Sequence, residues 1–192
     1  MRRVYQNIRV LNAAQALLRR TARDRSGISA IEFALLLPVM ISMYMGAVEL
    51  SHALTVDRRV SSVASAVADL TAQTEAVDTA QIQDIFTASS SIMTPYDVNP
   101  ISIVVTSVEA DEDNETKVGW SCAYHGSKRA EGSEITIPGG LTQPFSSIIM
   151  AEVEYSYTSP IGDIISGGMN FTETFYLRPR RSLKVEWQGA PC

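Results

Sequence analysis

The sequence predicts an α+β fold, in which a long N-terminal helix and a short second helix pack on a four-stranded antiparallel sheet. Two observations lead to this class. Apolar residues recur at helical spacing in the first part of the chain, and four later runs are rich in β-branched and aromatic residues. With 192 residues, the chain is long enough for about one globular domain and an accessory segment.

The long helix is predicted to run from about residue 28 to about residue 74. Residues 28–50 are an apolar run of 23 residues. As a helix this run is about 34 Å long and crosses a bilayer core of about 30 Å with some tilt. Pro38 predicts a kink, which membrane helices tolerate. The alternative is a secretory signal peptide cleaved after Ala53, which the length of the run and its two glutamates disfavour.

Charge is distributed unevenly along the chain. Residues 1–26 contain seven arginines and a single acid, Asp24. Residues 58–192 contain 17 acids and 9 bases, a balance of −8. Because arginine-rich flanks of a membrane span stay in the cytoplasm, residues 1–27 are predicted to be a basic cytoplasmic leader and residues 51–192 an exported domain. An acidic domain repels phosphate, so we expect no nucleic-acid partner.

After the apolar run, a stripe of apolar residues continues the helix at steps of three and four. It consists of Val56, Val60, Val63, Val67 and Leu70. A second, short helix is predicted to begin after an N-cap at Asp78 and to end before Pro95. Its buried face is predicted to contain Ile82, Ile85, Phe86 and Met93.

Four predicted strands follow, and turn-forming residues separate them. They are ISIVVTSVEA (101–110), TKVGWSCAY (116–124), SSIIMAEVEYSYT (146–158) and NFTETFYLRP (170–179). We expect them to pair in meander order, each strand beside the next one in the chain. The apolar face of such a sheet must be covered, and the helical stripe and the second helix are the available cover.

Gly27 is followed after four residues by Glu32 and Phe33, inside the apolar helix. This spacing resembles the prepilin-peptidase pattern of type IV pilin-like proteins. The longer run EFALLLPVMISMYMGAVELSHAL resembles the TadE-type pseudopilins of the Tad (Flp) pilus assembly system. Further marks of the resemblance are Pro95-Tyr96, Gly119-Trp120-Ser121, Glu154-Tyr155-Ser156-Tyr157, Arg178-Pro179-Arg180 and the terminal Cys192.

The resemblance implies a pilin-like fold and an assembly role for Glu32 and Phe33. A prepilin peptidase is expected to cut between Gly27 and Ile28, which frees the α-amine of Ile28. The carboxylate of Glu32, about 6 Å deeper in the membrane, is expected to pair with that amine within one subunit or between neighbours. The alternative is a Glu32 side chain that extends to the nearby interface, as we expect Glu49 to do at the far one.

We therefore expect a non-enzymatic protein, a minor pilin-like subunit of the bacterial inner membrane. Its N-terminus is expected in the cytoplasm and residues 51–192 in the periplasm. Implied partners are a second pseudopilin, the major pilin, the assembly platform and ATPase, and the prepilin peptidase. No cofactor, metal or small-molecule substrate is expected. The alternative is a periplasmic binding or sensory module on a single span, whose leader is never removed. An enzyme is disfavoured, because no nucleophile, base and oxyanion set is recognisable.

Cys122 and Cys192 are candidates for a disulfide, since an oxidising periplasm favours their pairing. The alternative is two free thiols. Cys122 with His125 is a weaker candidate for a nucleophile or a metal pair, because no third ligand has a suitable spacing. The run Asp111–Glu115 either binds calcium or, as is more common between strands, forms a solvated turn.

A small basic cluster stands near the end of the otherwise acidic domain. It consists of Arg178, Arg180 and Arg181. These side chains are predicted either to bind carboxylates of a partner subunit or to pair with Glu152 and Glu154 of their own sheet.

Overall fold

The structure is a computed structural model, and it describes residues 27–159, 168–189 and 192. The expected leader, apart from Gly27, lies outside the described residues. Helix α1 spans Ile28–Ala72 and helix α2 spans Thr79–Ser90, followed by a 3-10 turn at Ser91–Met93. The strands are β1 (Ala76–Val77), β2 (Ile101–Ala110), β3 (Thr116–Tyr124), β4 (Ser147–Tyr157), β5 (Met169–Leu177) and β6 (Glu186–Trp187). The predicted α+β class is confirmed.

The chain divides into two compact units, one ending at Ala47 and the other beginning at Val48. The second unit contains the sheet and its core. Within it, the stripe predicted on α1 is buried: Val56, Val60, Val63 and Val67 are all inaccessible to solvent. Leu70, the last predicted member, is partly exposed and does not belong to the core.

Helix α2 begins where the sequence predicts, at a capping box. The Asp78 carboxylate accepts a hydrogen bond from the backbone N–H of Gln81 at 2.8 Å, and the Gln81 side chain accepts one from the backbone N–H of Asp78 at 3.1 Å. This exchange satisfies two amide groups that a helix start otherwise leaves unpaired. Of the four predicted core residues, Ile82, Phe86 and Met93 are fully buried and Ile85 is partly buried against the core.

The four long strands form one antiparallel sheet in the order β3-β2-β4-β5. The predicted meander order is therefore wrong, because β4 pairs with β2 and not with β3. Two links join strands that are neighbours in the sheet: 111–115 between β2 and β3, and 158–168 between β4 and β5. The longest link, 125–146, leads from β3 at the edge to β4 on the other side of β2. A connection of that length does not force two strands into a hairpin.

The central position of β4 follows from its composition. Residues 147–151 are all buried, which requires cover on both faces of the strand. One face belongs to the main core with α1 and α2, and the other carries a smaller cluster. That second cluster consists of Val108, Ile148 and Met150, covered by Ile135, Ile137, Leu141 and Tyr176.

Two short strands that the sequence did not reveal form a separate parallel pair, β1 with β6. This pair joins the segment after α1 to the end of the chain. Each strand has two residues, too short for any periodicity to be read.

Candidate functional site

The residues expected to carry function lie at the start of α1. The helix begins at Ile28, and the backbone N–H of Ile31 donates to the Gly27 carbonyl at 3.1 Å. Gly27 and Ile28 are both exposed, and apart from residues next to Gly27 in the chain, no described residue comes within 4 Å of the place where a Cβ on Gly27 would lie. Among the described residues, nothing covers the peptide bond between these two residues.

Glu32 lies one helical turn beyond Ile28, at the i to i+4 spacing that places two side chains on one helix face. Its side chain is exposed, and none of the described residues forms an ion pair with it. Phe33 is also exposed, with 56% of its surface accessible. Glu32 is the only charged residue between Ile28 and Val48.

The apolar residues around Glu32 are exposed on every side of the helix. They include Ile31, Phe33, Leu35, Leu36, Leu37, Val39, Met40, Ile41 and Met43. In the part of the chain that the structure describes, α1 is the one helix long and apolar enough to cross a membrane, as judged by length and composition. A surface of this kind is suited to lipid or to other apolar helices, because in water it would aggregate.

Pro38 lies within this apolar run, and α1 continues through it. Proline has no backbone N–H, so one hydrogen bond of the helix ladder is missing at this point. The hydroxyl of Ser42, four residues later, donates to the carbonyl of Pro38 at 2.8 Å.

Glu49 does not extend to solvent, and our prediction for it is wrong. Only 5% of its surface is exposed, and one carboxylate oxygen accepts a hydrogen bond from the Ser159 hydroxyl. The other oxygen has no hydrogen-bond partner. Glu49 precedes Ala53 by four residues and Val56 by seven, so it lies on the buried stripe of α1. Extending the predicted stripe back from Val56 by two turns, through Ala53 to Glu49, was the sequence signal that could have placed it there.

Tyr157 lies close to this buried carboxylate. Burial raises the pKa of the Tyr157 phenol above its usual value, and the charge of Glu49 raises it further. A phenol that stays protonated is compatible with a neighbouring carboxylate, whereas a phenolate would repel it. We assign this group a structural role in the domain.

Cys122 and Cys192 form a disulfide in the structure, with their Cα atoms 5.2 Å apart. Cys122 is buried in β3, and Cys192 is the exposed last residue. The bridge spans 70 positions of sequence and ties the end of the chain to an edge strand of the sheet.

The three arginines after β5 have different surroundings. Arg180 forms an ion pair with Asp69 on α1. Arg178 donates to the carbonyl of Leu141 from Nε at 3.2 Å and from Nη2 at 2.9 Å. Arg181 is exposed, and no described residue pairs with it.

The sheet acids predicted as internal partners of this cluster are not used by it. Glu152 forms a bidentate ion pair with Arg129, which follows β3 in the long link. Arg129 lies near the start of this link, 23 positions before Glu152, and sequence spacing gave no signal that it would reach β4. Glu154 is exposed.

The acidic run at Asp111–Glu115 forms a turn between β2 and β3. The Asp111 carboxylate accepts hydrogen bonds from the backbone N–H groups of Asp113 and Glu115, at 3.2 and 2.8 Å. Its other oxygen accepts one from the Lys117 ammonium at 3.1 Å. That hydrogen bond to Lys117 is the main reason why the pKa of Asp111 is below its usual value. The carboxylate is thus engaged with its own turn.

Comparison with known proteins adds one family match. Residues 27–69 match the family model described as TadE-like protein. No curated protein and no solved structure matches the chain. The matched segment begins at Gly27 and contains Glu32 and Phe33, so the resemblance predicted from these residues is confirmed for residues 27–69.

Proposed function

We propose that this protein is a minor pilin-like subunit that assists assembly of a Tad/Flp type IV pilus. The observation that carries the proposal is the position of Glu32. It is a lone charge, one turn from the start of an apolar helix whose side chains are exposed all round. A carboxylate costs about 2.5–3.5 kcal/mol at the centre of a membrane helix, so its presence calls for a compensating partner.

In this proposal a prepilin peptidase cuts the chain after Gly27. The leader, residues 1–27, is cytoplasmic, residues 28–50 cross the inner membrane, and residues 51–192 are periplasmic. The exposed peptide bond at the start of α1 supports this position for cleavage. Cleavage converts a neutral amide at Ile28 into a positively charged amine.

The new amine and Glu32 then supply opposite charges in a medium of low dielectric constant. An isolated ion is strongly disfavoured there, whereas an ion pair recovers part of the cost of desolvation. Pairing between the amine of one subunit and the carboxylate of another lowers the free energy of the assembled subunits relative to that of an isolated subunit. The apolar surface that includes Phe33 would pack against the neighbouring helices.

The partners in this proposal are a second pseudopilin, the major pilin, the assembly platform with its ATPase, and the prepilin peptidase. The role is structural, as the family match at residues 27–69 suggests. The protein requires no cofactor and no small-molecule substrate to act in this way.

Intact-mass measurement of the membrane-extracted protein tests the processing step. We expect the mature chain to begin at Ile28. Gly27→Leu should block cleavage, and Gly46→Ala, a change at an equally open position of α1, should not. A wild-type chain that still begins at Met1 in cells with an active prepilin peptidase contradicts the proposal and favours a permanently anchored binding or sensory module.

A further inference from the structure

Strand β5 forms one edge of the sheet. It pairs with β4 over its whole length, from Met169 to Leu177, without a bulge. No described residue forms a backbone hydrogen bond with its outer side. The strand therefore presents a regular row of N–H and C=O groups to which another strand can pair. It contains neither lysine nor proline, the residues that commonly block such pairing.

The opposite edge of the sheet is covered where β3 begins, at Thr116–Val118. The link after β3 folds back along that strand, where Val118 exchanges hydrogen bonds with Gly132 and Ser133 at 2.7 and 2.9 Å. A further bond joins Ile135 to Thr116 at 3.1 Å. The β3 edge is thus closed by the chain itself over its first residues, whereas the β5 edge is open over its whole length among the described residues.

A groove lies at one end of the open edge, beside Phe175 and Leu177. It has a volume of about 630 Å3 and lies between one side of α1 and the helix-facing side of β5. Phe175 lines it and keeps 37% of its surface exposed, although its neighbours on the same face, Phe171 and Leu177, pack against the core. The groove is lined by Ser61, Ser62, Ser65, Ala66, Asp69, Phe175, Leu177 and Arg180.

The two charged residues that line the groove, Asp69 and Arg180, form an ion pair. Glu173 lies outside this lining, farther along β5. Glu173 lies on the same face of β5 as Phe171 and Phe175, because alternate residues share a face. No described residue forms an ion pair with it. Its cross-strand neighbour on β4 is the buried, apolar Val153.

We propose that the outer edge of β5 binds an extended segment of a different protein chain, which adds a fifth strand to the sheet. Backbone hydrogen bonds hold the added strand, as in other cases of strand addition. On the helix-facing side of the added strand, apolar side chains pack beside Phe175, and a single lysine or arginine lies opposite Glu173. The outward-facing side chains are polar.

A second copy of this chain fits the edge poorly. Glu173 is the central residue of β5. Antiparallel pairing in which two β5 strands overlap over their full length therefore places Glu173 opposite Glu173, and in-register parallel pairing does the same. Like charges directly opposite each other destabilise a strand pair. The charge pattern thus favours a partner that differs from this chain.

This binding edge is a different surface from the start of α1, and it lies within the unit 48–192. The proposal goes beyond the pilin-like role. It depends on neither cleavage at Gly27 nor pairing by Glu32, so the two can fail separately.

Peptide binding to the full chain in detergent micelles tests the inference. The probe is a fluorescently labelled nine-residue peptide, Val-Thr-Val-Thr-Lys-Thr-Val-Thr-Val, whose lysine lies opposite Glu173 in centred pairing. Its matched control has glutamate in place of lysine. We expect the lysine peptide to bind about fivefold more tightly, the upper range for a cross-strand charge pair. Hydrogen exchange of the bound chain should slow at 169–177 and not at 116–124.

Two variants establish that Glu173 sets this preference. Glu173→Lys should reverse it, so that the glutamate peptide binds more tightly. Glu173→Gln keeps the shape of the side chain and should make the two peptides equal. Glu131→Lys adds the same charge change to an exposed residue of the link that covers the other edge, and should leave the preference unchanged.

Other results would overturn the inference. One is that neither peptide slows exchange in β5 beyond the micelle-only blank. Another is that Glu173→Lys and Glu173→Gln leave the preference as it was. If hydrogen exchange in β5 slows as the protein concentration rises, without any peptide, then the edge binds a second copy of this chain and the inference is wrong.

Discussion

The indole Nε1 of Trp120 donates a hydrogen bond to the carbonyl oxygen of Val185 at 2.8 Å, and both residues are buried. They are 65 positions apart in sequence. Trp120 lies on β3, whereas Val185 directly precedes β6, which pairs with β1 after α1. This single bond therefore links the sheet edge to the end of the chain. Trp187 adds a ring contact to Trp120, with centroids 5.2 Å apart.

Trp120→Phe should lower the free energy of unfolding by about 1–3 kcal/mol, because the buried carbonyl of Val185 loses its donor. Loss of ring volume adds to this cost. Pulse proteolysis of the full chain in detergent, over a urea series, measures the effect without a tryptophan signal. Tyr176→Phe is the control, since Tyr176 is partly exposed and its hydroxyl makes no hydrogen bond with any described residue. Equal losses in the two variants would show that the Trp120 bond contributes nothing.

Val63→Asp should unfold residues 48–192 in the membrane-inserted chain. Val63 is fully buried in the core beneath the sheet, so the new carboxylate has neither water nor a partner. The expected cost is roughly 3–5 kcal/mol, a large part of the stability of a typical domain. Protease resistance of the domain in isolated membranes is the measurement. Ser62→Asp, at the adjacent exposed position of α1, should remain as resistant as the wild type.

Local sequence patterns were sufficient for the helices and for most strand limits. Helix α1 ends at Ala72, close to the predicted end, and β2 and β3 have the predicted bounds. These elements are specified by short-range spacing and capping, which one sequence displays directly. The capping box at Asp78 is the clearest case.

Long-range pairing was harder to predict from the sequence. The predicted meander order placed β4 beside β3 and did not use the buried run at Ile148–Ala151, which the structure covers on both faces. The parallel pair of β1 and β6 depends on contacts between the two ends of the domain. The ion pair of Arg129 with Glu152 likewise forms across 23 positions of sequence, where spacing carries no signal.

Cys192→Ser should lower the free energy of unfolding by up to about 4 kcal/mol under oxidising conditions. In the chain-entropy model, a bridge that closes about 70 residues restricts the unfolded chain by this amount. Urea unfolding with and without reductant measures it, and the variant should lose its sensitivity to reductant. Complete alkylation of both thiols in periplasm-exposed wild-type protein, without reductant, would rule out the bridge.

The turn between β2 and β3 should respond to pH through Asp111. Its pKa in the folded chain is lowered mainly by the hydrogen bond from Lys117, so its contribution to stability is present above the unfolded carboxyl pKa. This contribution is lost as the pH falls through the lowered folded value. Carboxyl NMR should show the low pKa directly. Lys117→Met should raise it toward the ordinary value, and Lys128→Met, which changes a lysine outside this turn, should not.

Glu32→Gln should separate processing from assembly. Moving a neutral amide into the membrane costs less free energy than moving a carboxylate, so the variant should insert at least as well as the wild type. Cleavage after Gly27 should continue, because the glycine and the leader are unchanged. Recovery of other pilin-like chains by crosslinking or co-purification should fall at least tenfold, since the amine at Ile28 loses its opposite charge.

Tyr44→Phe is the matched control, because it changes another exposed polar group of the same apolar helix without touching a charge. It should keep both the mature mass and the recovered partners. Three measurements on each variant are needed: the intact mass, the amount in the membrane and the yield of partner chains. If Glu32→Gln is cleaved, stable and recovers its partners in wild-type amounts, the carboxylate extends to the lipid interface and pairing does not drive assembly. If it is instead left uncleaved, Glu32 acts at the peptidase step, and the assembly role must be tested on a chain that begins at Ile28.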